Sequence, residues 1–394
     1  MSRHGGAGEN QRGIKVIPTQ QHYRASPPRK AIMAEENDIV DPLDEASEVI
    51  PFTYSISSYG ADYPIDSLVK RVEAGDIIVP TFEHEELLKD DLDAFQRQYV
   101  WPRQKADRFI ESLLLGLPVP GIFLVKEDSG RLLVLDGHQR LHTLSSYYLG
   151  IIHGIEYRLS GVQDRFAGKS YKELDVEDRR RLDDSIIHAT IMRQEHPTED
   201  WSSIYAIFER LNTGGVTLQA QEIRMALYHG PFAKTLRKLN TNESWRKLIG
   251  TPSKRLKDIE LILRFLALLY HYNNYERPMK DFLNRYMASN RNFARQSKEA
   301  IEEIFSNTIQ LILERLGSDA LRPERTVNAA FADALMVGVA TAIKNGETID
   351  TDKLKKARED LLSDKEFISS ITTGTSQKPK VDLRINRSIQ YISR

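Results

Sequence analysis

The stretch Val134-Leu135-Asp136-Gly137-His138-Gln139-Arg140-Leu141-His142-Thr143-Leu144 brings together residue types that can hold an anion. The apolar run Leu132 to Leu135 passes through Asp136 and Gly137 into a segment whose Leu141, Leu144 and Tyr148 recur at helical spacing, and Gly150 is placed to stop it. A strand that hands over to a helix through a glycine presents the first helical amides, and with the helix dipole these favour negative charge. Gly137 permits close approach of a ligand, and Arg140 would add a charge-assisted contact of about 1.5–3 kcal/mol. The outline is a phosphate cradle formed by the helix amides, Gly137 and Arg140. The same residues also fit a plainer arrangement, with Asp136 capping the helix and Arg140 pairing with a carboxylate.

Other segments invite a similar weighing. His138 and His142 stand at i, i+4, as in a zinc protease helix, but Gln139 occupies the place of that motif's glutamate base. Phe95-Gln96-Arg97-Gln98-Tyr99-Val100-Trp101 mixes aromatic anchors with amide and guanidinium groups, which suits either a phosphate or base contact or a loop plugging the core. Asn212-Thr213-Gly214-Gly215 is a glycine elbow between helices that could aim Arg210, Asn212 and Thr213 at a ligand, or simply connect the two helices. Gly168-Lys169-Ser170 lacks the earlier glycine of a P-loop, since Gln163 stands there. Lys378, Lys380, Arg384 and Arg387 make the C-terminal helix basic, as a DNA-facing stripe or a favourable helix-end charge would.

The elements that must position these groups follow from periodicity. Short apolar runs at Asp76–Pro80, Gly121–Lys126, Leu132–Leu135, Ile155–Leu159 and Ile186–Met192 predict strands. Leu132–Leu135 is continuously apolar, as a strand buried on both faces would be, and Glu127–Gly130 supplies the turn of an antiparallel hairpin. Ala106, Phe109, Ile110, Leu113, Leu114 and Leu117 form one helical face, starting after Pro102. Beyond about residue 199 amphipathic helices predominate: Trp201–Leu211, Ala220–Tyr228, Leu256–Tyr272, Met279–Met287, Ala300–Leu316, Thr326–Lys344 and Thr351–Leu362. The expected organisation is a disordered tail over 1–48, an α/β domain over 49–198 and a helical domain over 199–394.

Composition sets the outer bounds. The chain has 394 residues, 28% charged and 40% hydrophobic, with a net charge of −1, so any polyanion contact must come from a local patch. Zero cysteines exclude disulfides, thiolate nucleophiles and iron–sulfur clusters. The first thirty or so residues lack the continuous apolar core of a signal peptide and no later stretch approaches ~20 uncharged residues, so a cytoplasmic location is expected. No histidine follows His271, which argues against a histidine-based HNH nuclease site in the later part of the chain.

FQRQYVW, the helix ending IESLLLGLPVPGIFL, VLDGHQRLHTL and FERLNTGGVTLQAQEIRMALYHG occur in this order between Phe95 and Gly230, and KDIELILRFLALL with MKDFLNRYM extends the pattern. Together they resemble the N-terminal domain of GmrSD-type modification-dependent restriction systems. The resemblance implies an α+β fold, a ParB/sulfiredoxin-like mixed sheet with helices followed by an all-helical domain. It also implies NTP binding and hydrolysis with Mg²⁺, coupled to recognition or restriction of foreign DNA. The family's Asp-Gly-Gln-Gln-Arg maps onto Asp136, Gly137, His138, Gln139 and Arg140, with His138 as the departure. On that basis Asp136, Gln139 and Arg140 would be catalytic, with Asp136 also the Mg²⁺ ligand. The nucleotide would be bound by Gln96, Arg97, Trp101, Gly137, His138, Arg210, Asn212, Thr213 and Gly214; Gln221, Glu222 and Arg224 are further family positions.

The chain would then be the nucleotide-sensing half, acting with DNA and a separate nuclease subunit, with self-association left open. Two alternatives are a ParB-like DNA-binding or nicking protein, using the basic C-terminal helix with Lys254, Arg255 and Lys257, and a degenerate nucleotide-binding scaffold.

Overall fold

A computed structural model describes residues 55–80, 101–152, 154–196, 201–211 and 218–394. The tail expected over 1–48 lies outside the described residues, which all fall within the compact unit Ile39–Arg394. The fold is α+β. A five-stranded mixed sheet with its helices is followed by a helical remainder.

The sheet comprises β1 (Ser55–Pro64), β2 (Ile77–Ile78), β3 (Ile122–Lys126), β4 (Leu132–Asp136) and β7 (Ile186–His196), in the order β1-β7-β3-β4-β2. β3 and β4 form the expected antiparallel hairpin, while β7 and β3, and β4 and β2, run parallel. Ile151–Ile152 (β5) and Ile155–Glu156 (β6) make a separate small hairpin. The uninterrupted Leu132-Leu133-Val134-Leu135 run now has its reason. Leu132 and Val134 enter one hydrophobic core, whereas Leu133 and Leu135 enter another on the opposite face.

The first core is covered by α1 (Ile65–Glu73), α2 (Arg103–Leu114), α3 (His138–Leu149) and α4 (Val176–Asp184). Ala106, Phe109, Ile110, Leu113 and Leu114 all bury, as their spacing predicts, but Leu117 lies beyond the end of α2 and is exposed.

The second core belongs to the helices α5 (Ser202–Leu211), α6 (Ala220–Leu227), α7 (Pro231–Asn240), α8 (Glu243–Ile249), α9 (Lys257–His271), α10 (Met279–Asn290), α11 (Lys298–Leu316), α12 (Ala329–Lys344), α13 (Thr351–Ser363), α14 (Lys365–Thr372) and α15 (Lys378–Ser393). Inside it, Asp333 of α12 takes Arg264 Nη2 at 2.5 Å and Arg384 Nη2 at 3.1 Å, and all three side chains are buried. Gly338 lets α12 and α15 approach, since a Cβ there would stand 2.7 Å from Ile392 Cδ1. Among the described residues no helix is long and apolar enough to cross a membrane.

Arg384 corrects the reading of the C-terminal helix as a basic stripe facing DNA. That side chain is an interior ion-pair partner, Lys378 pairs with Asp382, and Arg387 pairs with Glu366. Helical periodicity, rather than charge, dictates which way each of these residues points.

Candidate functional site

The bend after β4 has the geometry that its sequence suggested. Gly137 is the N-cap of α3 with φ 107°, a left-handed conformation that favours glycine, and Gly150 ends the helix at φ 79°. A Cβ at Gly137 would lie 2.5 Å from Ile122 Cγ2, so the neighbouring strand closes the space a side chain would need. The N-cap position belongs to Gly137, which has no side chain, and not to Asp136. Asp136 instead accepts from Arg140 Nη2 at 2.5 Å, and the same nitrogen donates to the Gly121 carbonyl at 2.9 Å.

This pair is unevenly exposed. The Asp136 side chain is 46% exposed and that of Arg140 13%. Arg140 Nε is buried without a hydrogen-bond partner among the described residues. The guanidinium is thus anchored on one side, with a donor left over beside a solvent-facing carboxylate. Asp136 itself gains little from the pair, because an exposed carboxylate is well solvated whether or not it is paired, while the largely buried Arg140 also keeps the Gly121 carbonyl.

Gln139 Oε1 accepts from the Trp101 backbone N–H at 3.2 Å, tying the entry of α2 to the first turn of α3. The Trp101 ring stands edge-on to Phe109 at 5.7 Å, with Lys105 Nζ 4.5 Å from the indole centroid. His138 stacks on Phe208 of α5, with ring centroids 6.1 Å apart. Burial pushes the His138 imidazole down to about 4, against the opposing pull of Asp136 and the Val134 carbonyl, so it is neutral at pH 7. His142 is buried and its Nδ1 faces Ser146 Oγ at 3.2 Å. Among the described residues no group of three or more His, Cys, Asp or Glu could hold a metal ion. Asp136 is a single, partly exposed carboxylate, and Mg²⁺ accepts one carboxylate when other oxygen donors complete its shell.

The structure therefore brings Asp136, Gly137, His138, Gln139, Arg140 and Trp101 together. Arg210 is exposed near the end of α5, two residues beyond the Phe208 that meets His138. Gln96, Arg97, Asn212, Thr213 and Gly214 lie outside the described residues. Gln221, Glu222 and Arg224 bind one another's neighbours in the helical core. Arg224 donates to Gln221 Oε1 at 2.6 Å and Asn284 Oδ1 at 2.9 Å and pairs with Glu260, while Glu222 accepts the Gln219 N–H at 2.6 Å. Burial raises the Glu222 carboxyl.

Three contributors escaped the sequence reading: the Gly121 carbonyl, Ile122 and Phe208. The first two precede or begin a strand distant in sequence from Arg140, and only the β3–β4 pairing places them at the bend. Phe208 lies within FERLNTGG, so the order of the motifs was the one available signal.

No curated protein and no solved structure matches the chain. Residues 82–229 match the family described as GmrSD restriction endonuclease, N-terminal domain, a span that contains β3, β4, the bend and α6. That segment of the chain is a GmrSD N-terminal-type domain.

Proposed function

We propose that this chain is a nucleotide-binding, NTP-hydrolysing component of a restriction or defence system, and that the β4–α3 bend seats the phosphates. The observation that carries the reading is the Asp136–Arg140 pair beside Gly137, a partly exposed ion pair next to helix amides and a glycine that excludes a side chain. The family match supports the coarser part, a restriction-system component.

In this reading phosphate oxygens approach the first turn of α3 and compete with Asp136 for the Arg140 guanidinium. The Gly121 carbonyl keeps that guanidinium oriented during the exchange. Asp136 would hold Mg²⁺, whose charge would neutralise the phosphate oxygens. Gln139, fixed by the Trp101 backbone, would orient water, and neutral His138 adds no competing charge. Hydrolysis would then rest on positioning and charge stabilisation. DNA and a nuclease acting in trans are the proposed downstream partners.

Phosphate release from each NTP, with Mg²⁺ or with chelator, tests the reading. Turnover should require Mg²⁺ and fall about 100-fold in Arg140→Ala, the scale of losing one transition-state donor. Turnover equal in the wild type and Arg140→Ala would overturn the assignment.

A further inference from the structure

A cavity of about 380 Å³ lies at the other end of β4 from the bend, where the β3–β4 turn meets the helical part. Glu127, Ser129 and Arg131 line it from the turn, Trp201 from the entry to α5, His229 from the end of α6 and Arg291 from the end of α10. Its walls are held by one buried carboxylate. Glu127, with a side chain 4% exposed, accepts Arg291 Nη2 at 3.0 Å and Ser129 Oγ at 3.2 Å, and His229 Nε2 stands 3.4 Å away. Arg291 Nε also donates to the His229 carbonyl at 2.7 Å, and its guanidinium carbon sits 5.7 Å from the Trp201 ring centroid.

These contacts give each group a distinct capacity. Glu127 balances Arg291, whose guanidinium lies over the Trp201 ring, so the charge beside the indole is neutralised and a planar ring can stack against this pair. Arg131 differs. Its side chain is 50% exposed, its Nε rests on Ser129 Oγ at 3.3 Å, and its Nη2 is 3.4 Å from Glu127, beyond a good hydrogen bond. It can turn to an anionic group on a bound ring at little cost. Asp128, which is exposed and also lines the cavity, would repel an anion on its own side. The volume is near the lower end for ligand pockets, enough for one ring system with a single charged substituent.

We propose that this cavity binds one nucleotide unit, its base against Trp201 and Arg291 and its phosphate at Arg131, at a site separate from the β4–α3 bend. The unit could be a free nucleotide or part of a single strand, since the recognising chemistry is the same.

The test is calorimetric titration of the full chain with nucleoside 5′-monophosphates and with a short single-stranded oligonucleotide. The wild type is compared with Arg131→Gln, Trp201→Leu and Arg140→Ala, each checked for folding by circular dichroism. Saturable binding that weakens at least tenfold in Arg131→Gln and Trp201→Leu, and persists in Arg140→Ala, supports the site. Binding of the monophosphate then identifies a free nucleotide as the source, and binding of the oligonucleotide alone identifies a strand. No saturable binding, or binding lost in Arg140→Ala and intact in Arg131→Gln, overturns the proposal. If Trp201→Leu fails to fold, Arg131→Gln, altered at a half-exposed side chain, decides alone.

Discussion

Two arginine–aspartate contacts of equal length, 2.5 Å, behave differently because of where they sit. In the helical core Asp333 is 1% exposed and Arg264 0%, and Arg384 joins them as a second cation. At the end of β4, Asp136 is 46% exposed and its partner Arg140 keeps an unused buried Nε. The first arrangement fixes how α9, α12 and α15 meet, because either charge left alone in that interior would be strongly penalised. The second can exchange partners at little cost to the fold. Identical functional groups are thus locked in the interior in one place and leave a carboxylate facing solvent in the other, and desolvation makes the difference.

Removing the interior carboxylate should have the largest effect. Asp333→Ala should lose about 3–5 kcal/mol in chemical denaturation; a loss below about 1 kcal/mol would mean the triad is dispensable. Gly137→Ala should come next, at about 1–3 kcal/mol, since the new Cβ meets Ile122 and the left-handed backbone suits glycine. It should also abolish nucleotide binding, and a variant with wild-type stability and affinity would show that the bend has room to spare.

The pH dependence sharpens the contrast from another side. His138 is held at about 4 when folded and returns to about 6.5 when unfolded, so the unfolded chain binds the extra proton between these values. In metal-free buffer stability should fall by about 1–3 kcal/mol as pH drops from 6.5 to 4. His138→Gln should flatten that part of the profile, and an unchanged slope would assign it to other groups. Smallest of all, Asp136→Asn should change stability by less than about 1 kcal/mol while altering Mg²⁺-dependent binding. A loss as large as that of Asp333→Ala would erase the distinction between the two pairs.

The sequence revealed most where one residue type had to meet a single physical demand. The all-apolar Leu132–Leu135 run could bury both faces only as an interior strand, and Gly137 and Gly150 bracket α3 as their conformational freedom requires. β1 was missed because an edge strand with mostly exposed residues carries no apolar alternation. α7, α8 and α14 were passed over because they are short and mix polar with apolar residues. At the site, the Asp136–Gly137–Arg140 cluster was legible because it is local in sequence. The Gly121 carbonyl and the Phe208 stack depend on strand pairing and helix packing. The basic C-terminal helix stayed ambiguous in the sequence because charge says nothing about which helical face is buried, and Arg384 lies on the buried one.

Whether the β4–α3 bend holds the phosphates of a nucleotide is decided by isothermal titration of nucleoside triphosphates into the wild type and Arg140→Ala. The wild type should bind saturably and a folded Arg140→Ala at least tenfold more weakly, a difference of about 1.4 kcal/mol or more. Equal affinity in the two proteins would contradict it.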